Sequence, residues 1–147
     1  MKIKKANLKD AEKIANFNVL LAKESENLNI SFNTTLKAVK ELIINKNKGF
    51  YLLATKDEKI IGQLMITFEW SDWSNKDFWW IQSVYVDKDF RKKGVFKNLL
   101  TEVKKQAKKN NVSQIRLYVF KENKKAIKAY KSLNMKEKEY IIFETEV

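Results

Sequence analysis

The chain has no cysteine and no histidine. The first absence excludes disulfides, thiolate metal sites and a cysteine nucleophile. The second removes the commonest general base and the commonest zinc ligand. Acid–base chemistry is left to carboxylates, Tyr, Lys or water, and no metal is expected. No run approaches the ~18 apolar residues that would span a bilayer. The start, Met1-Lys2-Ile3-Lys4-Lys5, lacks the apolar stretch of a secretory leader. A cytoplasmic protein without membrane attachment is therefore expected. Proline is absent as well, and Arg91 and Arg116 are the only arginines.

What is present fits one packed domain, residues 1–147. Of the 147 residues, 44% are hydrophobic and 12% aromatic, enough for a core and too many for disorder. Thirty Lys and Arg against 18 Asp and Glu give +12, which suits nucleic acid or an anionic cofactor. Nucleic-acid readers favour arginine for bidentate contacts, and arginine is scarce here. A lysine- and asparagine-rich composition accounts for most of the charge, and only the cluster at 91–93 has a special setting.

Periodicity places the elements. Strands are expected at 3–6, 50–55, 60–70, 78–86 and 114–119, with a closing strand at 139–144 and one more short strand near 134–135. Helices are expected at 8–24, from a Thr34 or Thr35 cap to about 48, from 94 to about 109, and after an Asn123 cap. Strands and helices alternate only in the second half, which predicts an α/β (α+β) fold with a mixed sheet, antiparallel early and parallel late.

Residues 84–96, Val-Tyr-Val-Asp-Lys-Asp-Phe-Arg-Lys-Lys-Gly-Val-Phe, run from an apolar strand through a basic turn into an amphipathic helix. Free N–H groups, a helix dipole and three cations converge there, which suits a phosphate or pyrophosphate. Gly94 lets the backbone come close to a ligand. The segment Arg91-Lys92-Lys93-Gly94-Val95-Phe96 resembles the Arg/Gln-x-x-Gly-x-Gly/Ala turn of the GCN5-related N-acetyltransferases (GNAT). About thirty residues later, Asn123 to Met135 resembles that family's Asn-x-x-Ala-x-x-x-Tyr-x-x-x-Gly-Phe segment. Phe96 and Asn134 depart from the family's small residue and glycine.

The resemblance implies a sheet of six to seven strands with about four helices, in which strands 78–86 and 114–119 splay apart. It implies acetyl-CoA as cosubstrate, its pantetheine arm pairing with Val84, Tyr85 and Val86. The pyrophosphate would lie on Arg91, Lys92, Lys93, Gly94, Val95 and Phe96. Asn123 would lie near the arm and Tyr130 near the thioester sulfur, as general acid.

Acetyl transfer to an amine needs a neutral nucleophile and a route for its proton. The stretch 81–83, Ile-Gln-Ser, offers no carboxylate where many relatives carry one. Location and elimination then point to Glu69 as the base. Glu69, Trp70, Asp72 and Trp73, together with Gln82 and Ser83, are the candidate acceptor site, with the tryptophans walling a cationic substrate. Glu69-Trp70-Ser71-Asp72-Trp73 also resembles stretches of bacterial members of the family. Glu24, Glu26 or a water held by Gln82 and Ser83 are the other candidate bases. The expected function is N-acetyl transfer to a small-molecule or protein/peptide amine. An acyl-CoA sensor without catalysis and, less favoured, a nucleic-acid module are the alternatives. A homodimer is left open.

Overall fold

Residues 51–54 and 63–66 alternate between two buried layers, and that alternation decides the architecture. A computed structural model describes all 147 residues. In chain order the strands and helices are β1 (Lys2–Lys5), α1 (Ala11–Glu26), α2 (Phe32–Ile44), β2 (Gly49–Lys56), β3 (Lys59–Ser71), β4 (Lys76–Val86), α3 (Val95–Lys109), β5 (Gln114–Arg116) and α4 (Lys124–Ser132). Leu52, Ala54, Leu64 and Ile66 pack in the layer that holds Leu99, Leu100, Val103 and Ala107 of α3. Tyr51 and Leu53 face the opposite layer, against Ile14 and Ala15 of α1 and Val39 and Leu42 of α2. A sheet buried on both faces needs strands apolar on both faces, and β2 and β3 are such strands.

The sheet order is β1-β2-β3-β4-β5. The first three joins are antiparallel and the last, β4 to β5, is parallel. This is the expected mixed α/β sheet with four helices, though with five strands instead of six or seven. The parallel ladder stops at Trp80↔Arg116, so β5 ends three residues before the expected Val119. The expected closing strand is not formed, and neither is a strand at 134–135. Beyond Arg116 no ladder runs for residues 139–144 to extend, and Tyr140, Ile141, Ile142 and Phe143 are 72–87% exposed.

The caps follow local chemistry. The side chain of Asn123 accepts from Ala126 N at 3.1 Å, as its position predicts. Helix α2 is capped by Ser31, not by Thr34 or Thr35: Ser31 Oγ accepts from Thr34 N at 3.2 Å. Thr34 and Thr35 are drawn into the first turn, where Thr35 Oγ1 donates to Ser31 O. No helix is long and apolar enough to cross a membrane.

Candidate active site

Beyond Trp80, β4 continues to Val86 with no strand on its β5 side. The backbone of residues 81–86 is therefore without a ladder partner on that side. Inside that stretch the register slips. Gln63 pairs with Tyr85 and Met65 with Gln82, leaving Leu64 opposite both Ser83 and Val84. Ser83 sits at φ 50°, a left-handed conformation uncommon for any residue but glycine. Bulges and strained residues of this kind recur beside active sites.

A polar group from four elements lies under the bulge. Gln63 Nε2 donates to Asn18 Oδ1 at 2.7 Å and to Ser83 O at 3.4 Å. Asn18 Nδ2 donates to Tyr51 Oη at 3.2 Å. Burial pushes the Tyr51 phenol up, partly offset by hydrogen bonds with Asn18 and Ser83. Gln63 is fully buried, yet its Oε1 has no partner, a state that costs ~1–3 kcal/mol.

The basic turn leads from β4 into α3. Gly94 is at φ 76° and provides no side-chain cap, so the first N–H groups of α3 stay free. A Cβ at Gly94 would meet only Asn98 Nδ2, at 3.8 Å. Backbone conformation, not crowding, calls for glycine here. Lys92 is also left-handed, at φ 61°. The uncapped amides and open space fit a pyrophosphate, but two of the three cations are already engaged. Arg91 Nη2 donates to Glu24 Oε2 at 2.6 Å and Arg91 Nε to Val86 O at 2.9 Å. Lys93 Nζ donates to Asp89 O at 2.8 Å.

Glu24, at the C-terminal end of α1, gathers three donors: Arg91, Lys88 at 3.5 Å, and the Tyr85 hydroxyl at 3.0 Å. Partial burial alone would raise its carboxyl. The hydrogen bonds from Arg91 and Tyr85 and the charges of Arg91 and Lys88 outweigh this and hold it below its usual range. The Tyr85 phenol is pushed up to about 12 by burial and by the Glu24 carboxylate. A carboxylate so committed makes a poor base, which weighs against the Glu24 alternative. Glu26 is exposed at the last residue of α1.

Tyr130 stands edge-on to Phe96, ring centroids 5.3 Å apart. Phe96 is half-buried against the α3 core, so its side chain turns inward and leaves its N–H to the turn. The same ring contact brings Tyr130 to the turn. Burial raises the Tyr130 phenol. Asn123 is occupied as the α4 cap.

On the α1/α2 side, past the end of those helices, the sheet is bare. Gln82 Nε2 donates to Thr67 Oγ1 at 2.7 Å, and Trp80 lies 5.8 Å from Tyr118. Arg116 stacks 4.2 Å above Phe78, with its Nη1 at 3.9 Å from Glu69. Glu69 does not end its strand: it pairs with Phe78, four pairs along from Met65↔Gln82, or ~13 Å at 3.3 Å per residue. Trp70 points to the opposite face from Glu69 and donates to Asn75 Oδ1 at 3.1 Å. Trp73 and Asp72 are exposed at the hairpin tip. The expected acceptor group thus divides: Gln82 and Ser83 lie at the bulge, Glu69 farther along the same face, and Trp70, Asp72 and Trp73 at the tip. Trp79, Ile81 and Tyr85 are buried and cannot form a stacking platform for nucleic acid.

Glu24's link to Arg91 and Tyr85 was not foreseen, since nothing local joins residues 61 and 67 positions apart. Gln63 did leave a signal, as the one polar side chain between Ile60 and Ile66.

Residues 17–135 match the model of the acetyltransferase (GNAT) family. An uncharacterized N-acetyltransferase of Methanocaldococcus jannaschii is 31% identical over 100 residues, 67% of this chain and 44% of that protein. The chain thus spans under half the length of that curated relative. The crystal structure of a possible acetyltransferase from Clostridium difficile 630 superposes with a TM-score of 0.93 at 45% identity, covering 99% of this chain and 97% of that one. A ribosomal-protein-alanine N-acetyltransferase from Brucella melitensis biovar Abortus 2308 shares the fold, with a TM-score of 0.79 at 16% identity over 99% and 98% of the two chains.

Proposed function

The chain belongs to the GNAT acetyltransferase family, and from that premise we propose that its single domain transfers an acetyl group from acetyl-CoA directly to an amine. One observation carries this reading: the unpaired edge of β4 runs from a bulge to an uncapped helix start. A long ligand with a phosphate at one end and an extended, amide-bearing arm matches that edge. The arm would pair with Val84, Tyr85 and Val86 as an added strand does. Its pyrophosphate would take the amides of Gly94, Val95 and Phe96 and the charge of Lys92, with Arg91 and Lys93 able to swing from their present partners.

Acetyl-CoA supplies an activated acyl group on a thiol leaving group. The chain's own residues do the rest. Tyr130, its phenol raised still further above neutral pH by half-burial, holds a proton to give to the departing sulfur. Gln82, its amide nitrogen fixed by Thr67, keeps a carbonyl oxygen free to accept a hydrogen bond from the neutral amine or from a water beside Ser83. That water would carry the amine's proton to solvent as the C–N bond forms and the C–S bond breaks. Glu69 is too distant for proton transfer at the bulge and would instead hold the acceptor's far end, with Asp72 and Trp73 at the hairpin tip bordering its approach. A small-molecule amine and a peptide amine both suit an open face of this kind.

The test measures CoA release from acetyl-CoA against a panel of polyamines, aminoglycosides and lysine peptides, alongside acetyl-CoA titrations. Arg91→Ala with Lys93→Ala should weaken acetyl-CoA tenfold or more, since charge-assisted bonds contribute ~1.5–3 kcal/mol each. Unchanged affinity in a folded double variant would sink the site. Binding without release across the panel would favour the sensor reading, which the absence of an uncommitted carboxylate at the bulge supports.

A further inference from the structure

Gln63 occupies a position that suits an apolar residue. Its cross-strand partner Leu53 is fully buried, and its own side chain is enclosed with Oε1 unpartnered. Methionine would fill the same length and remove the unpartnered Oε1, at the cost of the donor to Asn18 Oδ1 and Ser83 O, both of which are only half-buried. What methionine lacks is the amide nitrogen, and both contacts of Gln63 run through that atom. One goes to Asn18 Oδ1 on α1 and the other to the carbonyl of Ser83. Ser83 is the left-handed residue of the bulge.

We infer that Gln63 is a positioning residue, a strut that holds the Ser83 bulge from below and so fixes residues 84–86 as the edge on which an extended ligand pairs. The inference rests on reading that edge as the acetyl-CoA groove. Asn18 anchors the strut to α1 and, through Tyr51, to β2. Without it Ser83 relaxes toward the β region, which a residue with a Cβ prefers. The register of 84–86 against β3 is then no longer single. A ligand that must first order its pairing edge binds more weakly.

Gln63→Met, Ser83→Gly and the double variant would be compared with the parent chain by thermal scan, amide exchange at residues 82–86, and calorimetric titration with CoA. Gln63→Met should melt within about 2 °C of the parent or above it. Its exchange at 82–86 should quicken about tenfold, and its Kd for CoA should rise about fivefold or more. Glycine takes the left-handed geometry unaided, so in the Ser83→Gly background the same change should alter either readout less than about twofold. Equal losses in both backgrounds would make Gln63 ordinary packing and overturn the inference, as would unchanged exchange in Gln63→Met. If the parent chain does not bind CoA, the groove reading falls, while the exchange comparison still decides whether Gln63 holds the bulge. Should Gln63→Met fail to fold, Asn18→Ala removes the strut's anchor and is judged by the same criteria.

Discussion

The Tyr130 phenol, protonated at neutral pH already at its ordinary 10.0, is raised further by burial beside Phe96 and the basic turn. Tyr130→Phe retains the ring and deletes only that proton. Turnover should fall by ~10²–10⁴-fold, the usual size of a general-acid contribution, while calorimetry shows acetyl-CoA binding intact. Glu24 answers to pH in a different way. Its carboxyl is held below its ordinary 4.5, so its ionised form contributes stability above that value, and the contribution fades as pH falls through the lowered one. Glu24→Gln should therefore melt a few degrees below the parent at pH 7, a small effect because the pairs are partly exposed. Thermal scans should show the gap narrowing below about pH 4.5. A gap that persists in acid would mean that the amide fails to pack.

Between sheet and helix the tolerance is narrow at Gly62. A Cβ there would lie 2.7 Å from Val95 Cγ1 and 3.2 Å from Tyr85 O. Val95 is the first residue of α3, so Gly62→Ala should lift the helix start off β3 and disturb the turn 91–96. Overpacking of this kind costs ~1–3 kcal/mol, visible as a lower Tm together with weaker CoA binding. The elements themselves were legible wherever their cause is local. The apolar face of α3, the glycine before it and the Asn123 cap are written within a few residues of where they act. The sheet's far side was not. Tyr140 to Phe143 is as apolar as a strand, but a strand needs a ladder, and the β4–β5 ladder stops at Arg116. The sequence puts Glu69 on the right strand, but only the hairpin register shows that it sits four pairs beyond Met65↔Gln82. Ser31, Thr34 and Thr35 can all cap a helix, and only the chain's entry angle selects Ser31.

Taken whole, the molecule carries +12 without a histidine. Apart from the α-amino group its charge changes little between the carboxylate and lysine ranges, ~4.3 and ~10.4. A rate that rises through neutral pH would then report deprotonation of the acceptor amine. The four tryptophans are spread just as unevenly over the molecule. Trp79 is 4% exposed under α3, whereas Trp70 is 63% and Trp73 94% exposed on the β3–β4 hairpin. The hairpin pair should emit at long wavelength and yield to iodide, while Trp79 emits farther to the blue and resists quenching. In a Trp80→Phe background, which removes the half-buried tryptophan beside the groove, CoA confined to that groove should leave the iodide-accessible fraction unchanged. An amine held along the hairpin should lower it. The protein thus carries its own optical label for the acceptor, and a flat quenching curve across the amine panel would clear the hairpin of any part in recognition.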